Sequence, residues 1–279
     1  MISRRGALAG LGLSLIPAQL RAAGLTAPPL ANPTGVLMQG GWARGQVAGK
    51  PRLTLGSQTV DYDADGRFFL AFDRDAQPTA TLTADYGTAG ISSRTLAIAP
   101  RAWPIEHIDA PFHPPAVPDE AFAKLRATEV ARIEAARAQV TGATGWRQAF
   151  IWPAHGRISG RFGSQRIYRG TPGAYHSGLD IAPGAGVTYV APADGVVVLA
   201  ASAPFTLEGN LLMLDHGMGL NSAFLHAQRL LVREGDRVTQ GQPLGLVGMT
   251  GRATGPHLHW SLRWREARLD PLLILPPAG

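Results

Sequence analysis

Apolar and polar residues alternate over short runs along most of this chain, and turn-forming residues separate the runs. Such a two-residue period predicts half-buried strands. In the first third, "RLTL" (52–55), "RFFLAF" (67–72) and "TATLTA" (79–84) are strands of this kind. In the last half, "GVVVLA" (195–200), "NLLMLDH" (210–216), "NSAFLH" (221–226), "PLGLVG" (243–248) and "HLHWSLRW" (257–264) follow one another with glycines between them. One stretch breaks the pattern. In "DEAFAKLRATEVARIEAARAQV" (119–140), Phe122, Leu125, Val130, Ile133 and Val140 recur at roughly helical spacing. Asp119 can cap the start of this helix and Gly142 can end it, and Glu120 and Lys124 stand four apart as a favourable surface pair.

These elements predict a mainly β protein with four parts. Residues 1–27 form an export signal, 28–100 a small β-sandwich-like domain, 101–145 a linker with the helix 119–140, and 146–279 an antiparallel β-sheet domain. The linker opens on the proline-rich "APFHPPAVP" (110–118). The start, "MISRRGALAGLGLSLIPAQLRAA", places a charged end before a short apolar run, the pattern of a signal peptide and too short for a membrane span. Ser3-Arg4-Arg5 resembles a twin-arginine signal, although an ordinary secretory signal fits as well; cleavage falls between Ala18 and Ala27. No stable membrane span remains once the signal is removed.

Composition narrows the chemistry. The 279 residues hold 34 Gly and 22 Pro, in keeping with many turns, and no Cys, so a metal site must be built from His and carboxylate. The net charge of +6 comes from arginine, since Lys50 and Lys124 are the only lysines. A basic chain suits an anionic partner such as an acidic cell-wall polymer, and the absence of an arginine-rich helix argues against nucleic acid. "DYDADG" (61–66) looks like the start of a calcium loop, but its twelfth position is Phe72 where a bidentate Glu is needed, so it reads as a hairpin turn.

Six of the eight histidines lie in the last part. Three segments matter: "HSGLD" with His176 and Asp180, "FLH" with His226, and "HLH" with His257 and His259. In a strand, His257 and His259 share a face. A catalytic zinc site takes three ligands from His and carboxylate and leaves one position for water; His176, Asp180 and one histidine of the pair would supply such a set. His216, in "LDHG", suits a structural or groove-rim role. His155 is expected to be exposed, and His107 and His113 need no special role.

The region from Ser159 to Pro271 resembles the lysostaphin-type zinc endopeptidases, the M23 or LytM-like family of cell-wall peptidases. The matching residues are "GRISGRFGSQR", "HSGLDIAPGAGVTYVAPADGVVV", "LDHGMGLNSAFLHAQ", "GDRVTQGQPLGLVGMTG" and "GPHLHWSL". The resemblance implies a lysostaphin/LytM-like sheet of the duplicated-hybrid-motif type. It implies one Zn2+ per chain held by His176, Asp180 and His259, with His226 and His257 catalytic beside it. Phe224 stands where the family often has Tyr. The implied activity is hydrolysis of peptide cross-links between peptidoglycan stem peptides in the periplasm, at D-alanyl–diaminopimelate bonds, with envelope proteins as further partners. Bound zinc polarises a carbonyl and lowers the pKa of water, and histidines can move the protons. Three competing readings remain. A degenerate LytM-like regulator would bind the wall or activate another hydrolase, but would lack ligands, and all five positions are filled here. A pure wall-binding module would not respond to zinc. A biotinyl- or lipoyl-type carrier needs a lysine that this region does not have.

Overall fold

The computed structural model describes residues 26–111 and 119–277. The expected signal at 1–27, apart from Thr26 and Ala27, and the proline-rich run 112–118 with His113 lie outside the described residues. The fold is mainly β, as the alternation predicts, and most strands form at the expected places.

Two small antiparallel sheets build the N-terminal part. One pairs Thr34–Val36, Trp42–Gln46 and Arg67–Ala71, and the other orders Gln58–Thr59, Arg52–Leu55, Thr79–Asp85 and Ile91–Ala97. Arg67–Ala71 is buried on both faces after its first residue. The reason lies in its neighbours: Phe69 stacks on Trp42, whose indole N–H donates to the Leu273 carbonyl at 2.8 Å, at the far end of the chain. One apolar cluster therefore runs without a break from Leu30 to Ile274. "DYDADG" is the turn expected of it. Asp63 accepts the Asp65 and Arg67 N–H groups at 2.9 Å each, and its carboxylate and that of Asp61 pair with Arg147 and Arg265 of the C-terminal half.

The C-terminal half is organised by one large antiparallel sheet. Its order is Arg237–Val238, Gly195–Ala200, Asn210–Asp215, Leu220–Ala227, Leu258–Trp264, Leu179–Ala182 and Arg157–Gly160, with Ala267–Leu269 added beside Leu258–Trp264. One face carries Phe224 and Trp260, both fully buried, with Tyr189 stacked on Phe224 at 5.5 Å. On the other face, Val198, Leu211, Met213 and Ala223 pack against Ile133 and Ala136 of the helix.

The helix differs from expectation in extent and in face. It spans Glu120–Arg137, capped by the Asp119 carboxylate on the Phe122 N–H at 2.7 Å. It ends five residues before Gly142, because the chain is pulled away to Asp215, which accepts the Thr141 N–H and hydroxyl. Its buried residues are Glu129, Ile133 and Ala136, whereas Leu125, Val130 and Val140 are exposed. The buried face is centred on an ionic contact that a hydrophobic stripe does not reveal. The linker also contributes a strand: Ile105–Ile108 pairs in parallel with Gln165–Tyr168.

Candidate metal centre and groove

Three strands of the large sheet bring the predicted residues together. Asp180 lies opposite His259 in the register of Leu179–Ala182 with Leu258–Trp264, so the two face the same side by strand geometry alone. His176 stands three residues before Leu179, the start of the first of these strands. The His259 Nδ1 lies 2.8 Å from Asp180 Oδ1, and the His176 Nε2 lies 3.1 Å from both Asp180 Oδ1 and His259 Nδ1. Among the described residues this is the group of ligand atoms that could hold a metal, all within 4.8 Å of one another and half-buried. Nitrogen and oxygen donors about 3 Å apart suit a four-coordinate zinc bound at about 2 Å. Two glycines make room for the cluster. A Cβ on Gly160 would meet Asp180 Oδ2 at 2.3 Å, and one on Gly178 would meet His259 Nε2 at 2.6 Å.

His257 shares the face, as the two-residue period requires; its Nε2 lies 3.7 Å from Asp180 Oδ1. His226 is a different matter. Phe224 pairs with Trp260 and Leu225 with His259, so a regular strand would send His226 to the Phe224–Trp260 face, away from His259 and Asp180. The strand does not stay regular. Between the pairs Phe224–Leu212 and Ala227–Asn210, two residues oppose the single Leu211, and His226 takes φ +65°. This β-bulge turns the imidazole over, to a ring-centroid distance of 4.9 Å from His257. A left-handed residue other than Gly costs about 1–2 kcal/mol. It is held here by the His226 N–H on the Glu208 carbonyl and by Nδ1 on the Thr250 carbonyl, both at 2.8 Å.

The hydrogen bonds also set which nitrogen is free. Nδ1 of His176, His226 and His257 donates to the carbonyls of Arg161, Thr250 and Gly255, at 3.1, 2.8 and 2.8 Å. Each ring is thereby left with Nε2 as its acceptor. Burial alone would raise the Asp180 carboxyl, but the contacts with His176 and His259 outweigh it and hold the group well below the usual carboxylate range. For His176 burial opposes the charged ring, yet the contact with Asp180 wins and raises its pKa. Burial lowers the pKa of both His226 and His259, so these rings stay neutral below the ordinary histidine value.

The cluster opens into a groove of about 1090 Å³ lined by Glu106, Arg161, Tyr168, Tyr175, His176 and Arg252, among others. Glu106 is paired with Arg166 at 2.8 Å, whereas the Arg161 and Arg252 side chains have no ion pair among the described residues. The linker strand Ile105–Ile108 supplies part of the wall.

Two expectations are sharpened. Phe224 is fully buried on the opposite face, so a phenol there would not reach the cluster. His216 is structural and not at a groove rim: it is fully buried, donates from Nδ1 to the Asp194 carbonyl at 2.8 Å, and accepts at Nε2 from the Ser222 hydroxyl at 2.7 Å. His155 and His107 are exposed. Thr250, whose hydroxyl and carbonyl fix the bulge, and Glu208 carry no signal in the sequence. Each acts through a loop contact with no periodic signal.

Residues 174–271 match the family description "Peptidase family M23". The chain is 40% identical over 107 residues to the peptidoglycan DD-endopeptidase ShyA of Vibrio cholerae, covering 38% of this chain and 24% of that protein. It is also 34% identical over 131 residues to the murein hydrolase activator NlpD of Escherichia coli, covering 47% of this chain and 31% of that one. The matched region thus spans about a quarter to a third of the length of these curated relatives. A crystal structure assigned to peptidase M23 from Pseudomonas aeruginosa superposes over 85% of this chain and 94% of its own, with a TM-score of 0.65 and 26% identity. The protein carries, in its C-terminal half, a domain of peptidase family M23.

Proposed function

We propose that this protein is an exported zinc metalloendopeptidase that hydrolyses peptide cross-links of peptidoglycan in the periplasm. The observation that carries the reading is the completeness of the cluster. Three donor atoms of His176, Asp180 and His259 lie within 4.8 Å, and two further imidazoles stand on the same face. His176 Nε2, His259 Nδ1 and one Asp180 oxygen would hold the ion. Bound zinc would supply Lewis acidity to a peptide carbonyl and a water of lowered pKa.

The remaining work falls to His226 and His257. Their Nδ1 atoms are occupied by backbone carbonyls, so each can accept a proton at Nε2 and return it to the leaving amine. Burial keeps His226 neutral, which suits proton acceptance. As imidazolium, either ring would donate a hydrogen bond to the developing oxyanion. Arg161 and Arg252, which have no ion pair among the described residues, favour a substrate bearing carboxylates, as wall stem peptides do. Residues 1–27 would direct export; among the described residues no helix is long and apolar enough to cross a membrane. In this reading residues 28–100 and 146–279 are two domains, joined by 101–145, that pack on one shared apolar cluster.

A second reading has an observation of its own. The likeness to a murein hydrolase activator favours a wall-binding regulator that acts through a partner. Digestion of purified peptidoglycan by the zinc-loaded mature protein, followed by mass analysis of the fragments, separates the two. Cross-linked dimers should disappear with zinc and persist with chelator. Dimers that survive intact with zinc-loaded wild type would overturn the enzyme reading in favour of the regulator.

A further inference from the structure

Arg74 lies in the N-terminal part, three residues beyond the strand Arg67–Ala71, far in sequence from any predicted site residue. Its side chain is 8% exposed. The guanidinium donates from Nε and Nη2 to the Gly163 carbonyl at 3.3 and 3.2 Å, from Nη2 to Gln165 Oε1 at 2.9 Å, and from Nη1 to Asp75 at 2.8 Å. It is sandwiched between the rings of Tyr175 at 4.7 Å and Trp103 at 5.2 Å. A buried cation with this many partners is held in one geometry.

What it holds is the arm that carries His176. The Gly163 N–H donates to the His176 carbonyl at 2.8 Å, and the His176 N–H donates to the Ser164 carbonyl at 2.8 Å. The His176 ring rests on the Arg161 carbonyl. Gln165, fixed by Arg74, donates from its amide to the Gly173 carbonyl at 2.7 Å, which ties the two limbs of the arm together. Trp103 closes the back, where a Cβ on Gly163 would strike its ring at 2.0 Å. The arm lies at one edge of the large sheet, so its own domain braces it from one side alone.

We propose that Arg74 is a positioning residue for the metal centre: the N-terminal part completes the site by fixing the turn 161–165 and, through it, His176 Nε2. This rests on the reading of His176 as a ligand. It gives the N-terminal part a task in metal binding that neither the family match over 174–271 nor the sequence pattern assigns.

The test is metal affinity. Zinc affinity of Arg74→Met, measured by competition with a chromogenic chelator, should fall about ten- to a hundredfold, the usual effect of losing a partner that orients a ligand. The visible spectrum of the cobalt-loaded protein should change as well. Arg74→Lys should not restore either value, because one ammonium cannot span Gly163 and Gln165 as the planar fork does. Arg44→Met is the control. It removes another interdomain bond, from Arg44 Nη2 to the Gln148 carbonyl at 2.7 Å, away from the arm. It should lower thermal stability and leave zinc affinity and the cobalt spectrum at their wild-type values. Should Arg74→Met fold poorly, Gln165→Leu cuts the same brace from the other side and should weaken zinc in the same way. Wild-type zinc affinity in Arg74→Met or Gln165→Leu, or an equal loss in Arg44→Met, overturns the proposal. His176→Ala serves to separate the layers: zinc retained in that variant overturns the ligand reading itself, whatever Arg74 does.

Discussion

Glu129 offers the sharpest test of how the helix supports the groove. It is 5% exposed and sits where a helix would ordinarily place an apolar residue. One carboxylate oxygen accepts the Thr206 N–H and the other the Thr206 hydroxyl, each at 2.6 Å, and Arg126 adds a third bond at 3.1 Å. Arg126 in turn grips Glu208 with two bonds, at 2.6 and 2.8 Å. The network therefore ends on the residue whose carbonyl holds the bulged His226 N–H.

Replacing Glu129 with Ala deletes the acceptor of two half-buried donors and half the counter-charge of Arg126. Charge-assisted hydrogen bonds contribute about 1.5–3 kcal/mol each, and removing one partner of a buried ionic cluster costs about 3–5 kcal/mol. A loss of about 3–5 kcal/mol is expected, read by urea denaturation at pH 7, with a fall in Tm of roughly 10 °C for a chain of this size. Glu129→Gln keeps one acceptor and should lose about half as much. The pH dependence supplies a further check. Burial alone would raise the Glu129 carboxyl, but the Thr206 and Arg126 contacts outweigh it and hold it below its ordinary 4.5. A carboxylate lowered in the folded state stabilises above its unfolded value and loses that contribution as pH falls through the folded one. The gap between wild type and Glu129→Ala should thus be full at pH 7 and shrink below about pH 4.5. A loss under about 1 kcal/mol at pH 7, or a gap that does not change with pH, would refute the reasoning.

Other perturbations probe the site directly. His259→Ala should lose zinc by metal analysis, while His226→Ala should retain it and lose about 10²–10⁴ in turnover of cross-linked muropeptides; the reverse pattern would undo the role assignment. Gly178→Ala should abolish metal binding, since its Cβ would sit 2.6 Å from His259 Nε2 and 2.7 Å from the Trp260 carbonyl; isothermal titration with zinc reads this out. His216, kept neutral by burial, has a lowered pKa, so the unfolded chain gains a proton below about pH 6.5 that the native state refuses. Stability of the wild type should fall from pH 6.5 downward, and His216→Gln should be less stable at pH 7 but flatter across that range in urea titrations. Arg161→Gln with Arg252→Gln should raise KM for a carboxylate-bearing peptide and leave its carboxamide analogue unaffected, a comparison that an uncharged binding mode would not reproduce.

The sequence made some of this legible and hid the rest for physical reasons. That His257 and His259 share a face follows from the strand period; the choice of Asp180 and His259 as ligands rests on the family resemblance, and their register shows only in the paired strands. His226 was found by motif, yet the same two-residue period would have placed it with Phe224 on the wrong face. A bulge is a single extra residue and leaves no trace in an apolar pattern. The helix was found but its face was misread. Leu125 and Val130 carry the stripe and lie exposed, while Glu129 is buried, because its docking partner is the polar loop at Thr206–Glu208. The strand Ile105–Ile108 lies within the predicted linker 101–145, since a short edge strand gains its identity from a partner sixty residues away.

A common logic joins His176 and His226. The sheet fixes His259 unaided, because Leu258–Trp264 is paired on both sides, and His257, just before that strand, bridges Gly248. His176 lies beyond the end of a strand, and His226 sits in a strained bulge, so neither inherits its position from the ladder. Each is instead held by an arginine from outside the matched family region. Arg74 grips the turn beneath His176, and Arg126 grips Glu208 beneath His226. If both braces matter, the full chain carrying Arg74→Met and Arg126→Met should keep the sheet and lose the site. Its far-ultraviolet circular dichroism would remain that of a β protein while its zinc affinity fell well below that of the wild type.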